Sequence, residues 1–255
     1  MTQIPRKSAL VLLNGRPPSK ELLFRFWHRV DCRVCADGAA KTLLEYDLAP
    51  DIVLGDMDSI DPSAIRAFPG SRILKNPDQN RTDGEKALLF CLESGLESVY
   101  VLGALGGRTD HCLYNIGLLR KERFAALRLR LLSDSEEILL VRRHIELHEK
   151  IGTGISLMPV FGPVQGVSTR GLLYPLADDL LELGGLSSIS NRFSQPSAVI
   201  DFPAGELLVL IDRSERRDWR GTPIGSRRGT RGDERLSTSR SSPRPAFCSD
   251  RNSPS

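Results

Sequence analysis

Six short apolar, strand-like runs lie at residues 9–13, 32–36, 51–54, 72–75, 98–105 and 127–132. Helix-like segments stand between most of them, at 21–29, 63–68, 83–94 and 110–123. This rhythm constrains the chain more than anything else in it. Short strands alternating with amphipathic helices bury both faces of a sheet only when the helices wind over it. The pattern therefore predicts an N-terminal three-layer α/β/α domain with a mostly parallel sheet, over residues 1–135. From residue 138 the rhythm changes to strand-like runs at 139–147, 154–161, 165–168, 187–190, 198–201 and 206–211, punctuated by Gly and Pro. That pattern predicts an antiparallel β-sandwich over 136–212.

Residues 213–255 are rich in Arg, Ser, Gly and Pro and poor in apolar residues, the composition of a disordered basic tail. The tail also accounts for the sign of the net charge. The whole chain carries +3, but 213–255 holds eleven Arg against five acids, so the rest is acidic by three charges. The basic balance is thus no sign of a nucleic-acid surface on the folded part. The longest apolar runs are about five residues, far below the ~18 that span a bilayer, and no membrane segment is expected. An odd number of Cys, five, without a signal-peptide pattern reads as reduced thiols in the cytoplasm.

The acidic residues fall where the predicted strands end. Asp37-Gly38 follows the second, Gly55-Asp56-Met57-Asp58-Ser59 the third, Asp78-Gln79-Asn80-Arg81-Thr82-Asp83 the fourth, and Gly106-Gly107-Arg108-Thr109-Asp110-His111 the fifth. In open α/β sheets the loops at the carboxyl ends of the strands form the ligand crevice. Asp37, Asp56, Asp58, Asp83 and Asp110 are therefore expected to gather there. Clustered carboxylates need a compensating cation, and Mg²⁺ suits oxygen ligands and bridges to substrate phosphates. Gly106-Gly107 lets backbone approach a ligand, Arg108 offers a planar fork to phosphate oxygens, and the helix start near Asp110 adds N–H donors. Together these are the parts of a phosphoryl-transfer site, without a P-loop sequence. By themselves they leave open another Mg²⁺-dependent phosphotransferase or phosphohydrolase.

In this order the motifs resemble the thiamine pyrophosphokinase family. The residues that carry the resemblance are Asp37-Gly38-Ala39-Ala40, 55–59, 78–87, and 103–111 with Asn115. Two later stretches join them, Ser168-Thr169-Arg170-Gly171-Leu172-Leu173-Tyr174-Pro175-Leu176 and Ser188-Ile189-Ser190-Asn191. The resemblance implies transfer of the pyrophosphoryl group of ATP to the thiamine hydroxyl, with AMP as second product. It also implies a homodimer whose active site lies at the subunit interface. By carry-over, Asp56, Asp58 and Asp83 hold Mg²⁺ and phosphates, with Asp110 and Arg108 among the catalytic groups. Asp37, Gln79, Thr82, Gly106 and Gly107 contact ATP or the transferred group, and Ser168, Tyr174, Ser190 and Asn191 face thiamine. The sequence departs from the family pattern at Ala39, Gly84, Leu173 and Tyr174; the last replaces the usual Trp and keeps an aromatic face. A catalytically silent thiamine-binding protein is the remaining alternative.

Two further signals read as structural. Cys32 and Cys35 lie three apart in a strand, on opposite faces, with no second pair of metal-ligand spacing. His144, Glu146 and His148 share one face of a predicted strand, which reads as a solvated sheet face.

Overall fold

The computed structural model describes residue 4 and residues 7–58, 62–186 and 188–214. Ser59, at the end of the third acidic loop, and the basic tail from 215 onward lie outside the described residues. The first half runs β1 (Ser8–Leu12), α1 (Lys20–Trp27), β2 (Cys32–Ala36), α2 (Ala40–Glu45), β3 (Ile52–Gly55), α3 (Pro62–Ala67) and β4 (Arg72–Lys75). It continues with α4 (Asp83–Glu93), β5 (Ser98–Leu102), α5 (Thr109–Leu118) and β6 (Arg128–Leu132). The strands β4-β3-β2-β1-β5-β6 lie side by side and all pair in parallel. All five residues of β1 are buried, which requires cover on both faces of the sheet. The order reverses between β1 and β5, and that reversal makes the crevice.

The second half contains β7 (Glu136–Val141), β8 (His144–His148), β9 (Gly154–Met158), β10 (Val164–Arg170), β11 (Asp179–Leu181), β12 (Ser188–Arg192), β13 (Ser197–Asp201) and β14 (Leu207–Asp212). β7 pairs antiparallel with β6, and β14, β9 and β12 follow, so one sheet of ten strands runs through both halves. A second, antiparallel sheet of order β11-β10-β13-β8 completes the sandwich. Strands alternate their faces, so β7 and β14 serve two cores at once. Ile138 and Leu208 pack into the core of the first half, while Leu139, Val141, Leu207, Val209 and Ile211 pack inside the sandwich. This double duty explains the unbroken apolar runs Ile138–Val141 in β7 and Leu207–Ile211 in β14.

The run at 139–147, read as one strand, is two. It breaks at Arg142-Arg143, and the pieces enter different sheets. Exposed Arg142 and Arg143 form the bend at which the chain passes from one layer to the other. The short helix α2 is absent from the sequence reading because its six residues carry too little period to register. The fold also continues one residue past β14: Arg213 grips Glu137 and Glu149 with bonds of 2.6 Å to each. Burial pushes the Glu137 carboxyl up, but Arg130 and Arg213 outweigh it and hold the group below its ordinary value. Among the described residues no helix is long and apolar enough to cross a membrane.

Candidate active site

The crevice opens where β1 and β5 part. Gly15 N–H donates to the Gly103 carbonyl at 2.8 Å, and Arg16 N–H to the Leu105 carbonyl at 3.1 Å. Gly103 has φ 68°, and a Cβ on it would lie 2.0 Å from the Leu13 carbonyl oxygen, so only glycine closes this junction. Gly106 and Gly107, also at positive φ, form the turn that leads to α5.

Asp37, at the end of β2, is almost fully buried. Its Oδ1 accepts the Gly38 N–H at 2.6 Å and its Oδ2 the Met57 N–H at 2.9 Å. The second bond ties the loop after β2 to the loop after β3 and holds Met57 at φ 68°, a left-handed conformation that costs a non-glycine residue energy. Gly55 makes room for this: a Cβ there would lie 2.3 Å from the Asp37 Cγ. Asp56 Oδ1 accepts the Asp58 N–H at 3.1 Å, and its Oδ2 accepts Gln79 Nε2 at 3.1 Å, which adds the loop after β4. Asp58 is exposed.

Burial pushes the Asp37 carboxyl above the usual carboxylate range; the Met57 N–H opposes the shift, and the charges of Asp83 and Asp56 add to it. Asp56 moves the other way, held down by the Asp58 N–H and the Gln79 amide, with help from Lys86. The two neighbouring carboxyls are thus shifted in opposite directions.

Thr82 caps α4, its Oγ1 accepting the Glu85 N–H at 3.3 Å, and presents Asp83 in the first turn. Lys86, almost wholly buried, reaches Asp83 Oδ1 at 3.3 Å. This cation is the main residue that the site reading missed. Its signal was in the sequence, since residues three apart on a helix face each other. Asn115, on α5, donates to the Ala104 carbonyl at 2.9 Å. A side chain on Gly84 would come within 3.1 Å of both Asn115 Oδ1 and Leu13 Cδ1, so the departure at Gly84 lets α4 pack close to the crevice floor.

Arg108 and Asp110 stand further out. The guanidinium holds Asp110 through Nε at 3.1 Å and through Nη2, and both side chains are exposed. Asp110 is held down to about 2, first by that bond and then by the His111 N–H.

The remaining candidates lie in the second half. Ser168 Oγ accepts the Asp178 N–H at 3.0 Å. Ser190 is exposed, at φ 58°. Tyr174 is 66% exposed, whereas Asn191 is buried and bonded to the Tyr174 main chain. The structure therefore gathers Asp37, Asp56, Gln79, Asp83 and Lys86 in one place, Arg108 with Asp110 in a second, and Tyr174 with Asn191 in a third. Among the described residues no three His, Cys, Asp or Glu side chains form a ready metal cage.

Two family models match in chain order. "Thiamin pyrophosphokinase, catalytic domain" covers residues 23–131, and "Thiamin pyrophosphokinase, vitamin B1 binding domain" covers 142–207. Thiamine pyrophosphokinase 3 of Oryza sativa subsp. japonica is 31% identical over 79% of this chain and 85% of its own length. The chain belongs to the thiamine pyrophosphokinase family. Thiamine pyrophosphokinase 1 of the same plant is 35% identical, over 72% of this chain and 79% of its own. The crystal structure of thiamine pyrophosphokinase from Bacillus subtilis superimposes with a TM-score of 0.72, covering 82% of this chain and all of that one. At 24% identity that likeness concerns the fold, an α/β half joined to a β-sandwich. The first family model ends within β6 and the second begins just after β7, so β7 lies between the two.

Proposed function

We propose that this chain transfers the pyrophosphoryl group of ATP to the hydroxyl of thiamine, giving thiamine diphosphate and AMP. The observation that carries the reading is the convergence of Asp37, Asp56 and Asp83 at the strand-end crevice of a thiamine pyrophosphokinase family member. The thiamine hydroxyl oxygen bonds to the β-phosphorus of ATP. The bond from that phosphorus to the oxygen bridging to the α-phosphorus breaks, AMP leaves with the bridging oxygen, and the hydroxyl proton passes to a base.

The donor set fits Mg²⁺. It consists of hard carboxylate oxygens, close enough that the charges of Asp83 and Asp56 add to the effect of burial on Asp37, and Mg²⁺ needs only one or two carboxylates beside water and phosphate. Asp56, Asp58 and Asp83 would hold it, and when bound it neutralises charge on the phosphate oxygens. Arg108 exchanges its exposed Asp110 partner for phosphate oxygens, and the Gly106-Gly107 turn lets the triphosphate approach main chain. Gln79 and Thr82 orient the nucleotide beside them. In the second half, Tyr174 offers its open ring to the thiamine rings, and Ser168 and Ser190 supply hydroxyls to the same ligand.

The proposal includes a homodimer with its active sites at the subunit interface. Its support is an exposed apolar set on the second half, Leu173, Tyr174, Leu180, Leu183, Leu186 and Ile189, of the kind that subunit contacts cover. A cytoplasmic location is part of the same reading, in keeping with ATP as co-substrate and the free thiols of Cys32, Cys35, Cys91 and Cys112. The reaction is tested by incubating the protein with ATP, Mg²⁺ and thiamine and measuring AMP. AMP that forms only when thiamine is present is the expected result; ADP, free phosphate or no product overturns the reading.

A further inference from the structure

The 171–174 segment lies antiparallel to 191–194, with Leu172 bridged to Phe193 and Leu173 N–H donating to the Arg192 carbonyl at 2.8 Å. One residue further on the ladder is carried by a side chain. Asn191 Oδ1 accepts the Tyr174 N–H at 3.0 Å, and Asn191 Nδ2 donates to the Tyr174 carbonyl at 2.7 Å. The amide thus pairs with both main-chain groups of Tyr174, as a neighbouring strand would. A bulge makes this possible. The pairing of β12 with β9 shifts register between Ser188↔Leu157 and Asn191↔Ile155, and Ser190 adopts φ 58°. In a regular strand residues 188 and 191 would face opposite ways; here both are buried.

The amide has nothing left to offer. Oδ1 also accepts the Arg192 N–H at 2.8 Å, and Nδ2 also donates to Ser188 Oγ at 3.2 Å, so its two acceptor and two donor positions are filled. Beyond the clip, Pro175 restricts Tyr174 to extended backbone. The outcome is a residue with a fixed main chain and an open ring.

We propose that Asn191 is a positioning residue: it does not touch thiamine but fixes the Tyr174 main chain and so aims the ring. This rests on the reading that Tyr174 meets thiamine. The test is a double-mutant cycle read in the KM for thiamine, with the KM for ATP and kcat as controls. Asn191→Ala removes two hydrogen bonds to Tyr174 and should raise the thiamine KM about tenfold, leaving the ATP KM and kcat within about twofold. Tyr174→Ala should also raise the thiamine KM, and the double variant should be no worse than Tyr174→Ala alone. Asn191→Ser guards against a folding failure: it is small and uncharged, keeps a hydroxyl able to accept or donate one bond, and should fall between wild type and Asn191→Ala. Additive effects, or an unchanged thiamine KM in both Asn191 variants, overturn the proposal. An unchanged thiamine KM in Tyr174→Ala overturns the underlying reading and the proposal with it.

Discussion

The crevice of the first half and the Tyr174 edge of the second half order their functional groups in opposite ways. In the crevice, main chain holds side chain: the Gly38 and Met57 N–H groups fix Asp37, and the Asp58 N–H fixes Asp56. On the Tyr174 edge, side chain holds main chain, through the Asn191 amide. The crevice is polar and lined by close glycine contacts, whereas the edge leaves Leu173, Tyr174 and Ile189 more than half exposed. A charged ligand needs fixed dipoles and tight backbone, while an apolar ring needs an open face and a second surface to close over it. The contrast teaches that the two halves, under the proposed function, serve chemically different parts of one reaction.

The largest expected effect breaks the crevice side alone. Asp58 is exposed and its N–H, not its side chain, supports Asp56, so Asp58→Asn should leave the fold and melting temperature unchanged. Removing its charge should lower turnover by at least ~100-fold, on the scale of losing one key electrostatic group. Near-normal turnover with an unchanged Mg²⁺ requirement would end the assignment of Asp58 as a metal ligand.

A second test asks whether the two halves of one site come from different chains. Asp83→Asn, expected to be inactive, and Tyr174→Ala, expected to be nearly silent when assayed at thiamine concentrations far below its raised KM, are unfolded together, refolded as a mixture and assayed at that low thiamine. With random pairing half the dimers are mixed, and in each of these one site is free of both lesions, so about a quarter of all sites regain activity. No recovery, with mixed dimers confirmed by mass, would place both halves of the site in one chain.

The smallest effect sharpens the packing side of the comparison. Gly55→Ala puts a methyl group 2.3 Å from the Asp37 Cγ, and Asp37 can yield only by releasing the Met57 and Gly38 N–H groups. We expect a loss of about 1–3 kcal/mol in urea unfolding, as for overpacking elsewhere. An unchanged midpoint would show that the Asp37 clamp is looser than its geometry.

Much of the crevice was legible because its signals are local. An Asp or Gly at the end of a predicted strand is read directly, and parallel strands carry all such ends to one side. Lys86 was legible too, three residues after Asp83, but its burial was not, since a lysine in a helix start reads as surface. The break at Arg142-Arg143 was lost because alternation alone does not say which sheet a strand enters. Asn191 illustrates the same limit. A regular strand would turn it away from Ser188, and only the bulge, a long-range pairing event, brings both inside.

By itself, then, the sequence determined the class of fold, the set of carboxylates and glycines at the strand ends, and the family. All three follow from periodicity and short motifs, which act over a few residues. The tertiary structure alone decided that one ten-stranded sheet runs through both halves, that β7 and β14 serve two cores, that Asp37 is buried under Gly55, and that Asn191 turns inward onto Tyr174. Apart from the β6–β7 pairing that joins the halves locally, these depend on contacts between residues 17 or more positions apart, such as Asn191 and Tyr174. Such contacts are chosen by packing and by the need to pair every buried polar group, and neither acts on neighbours in the chain alone.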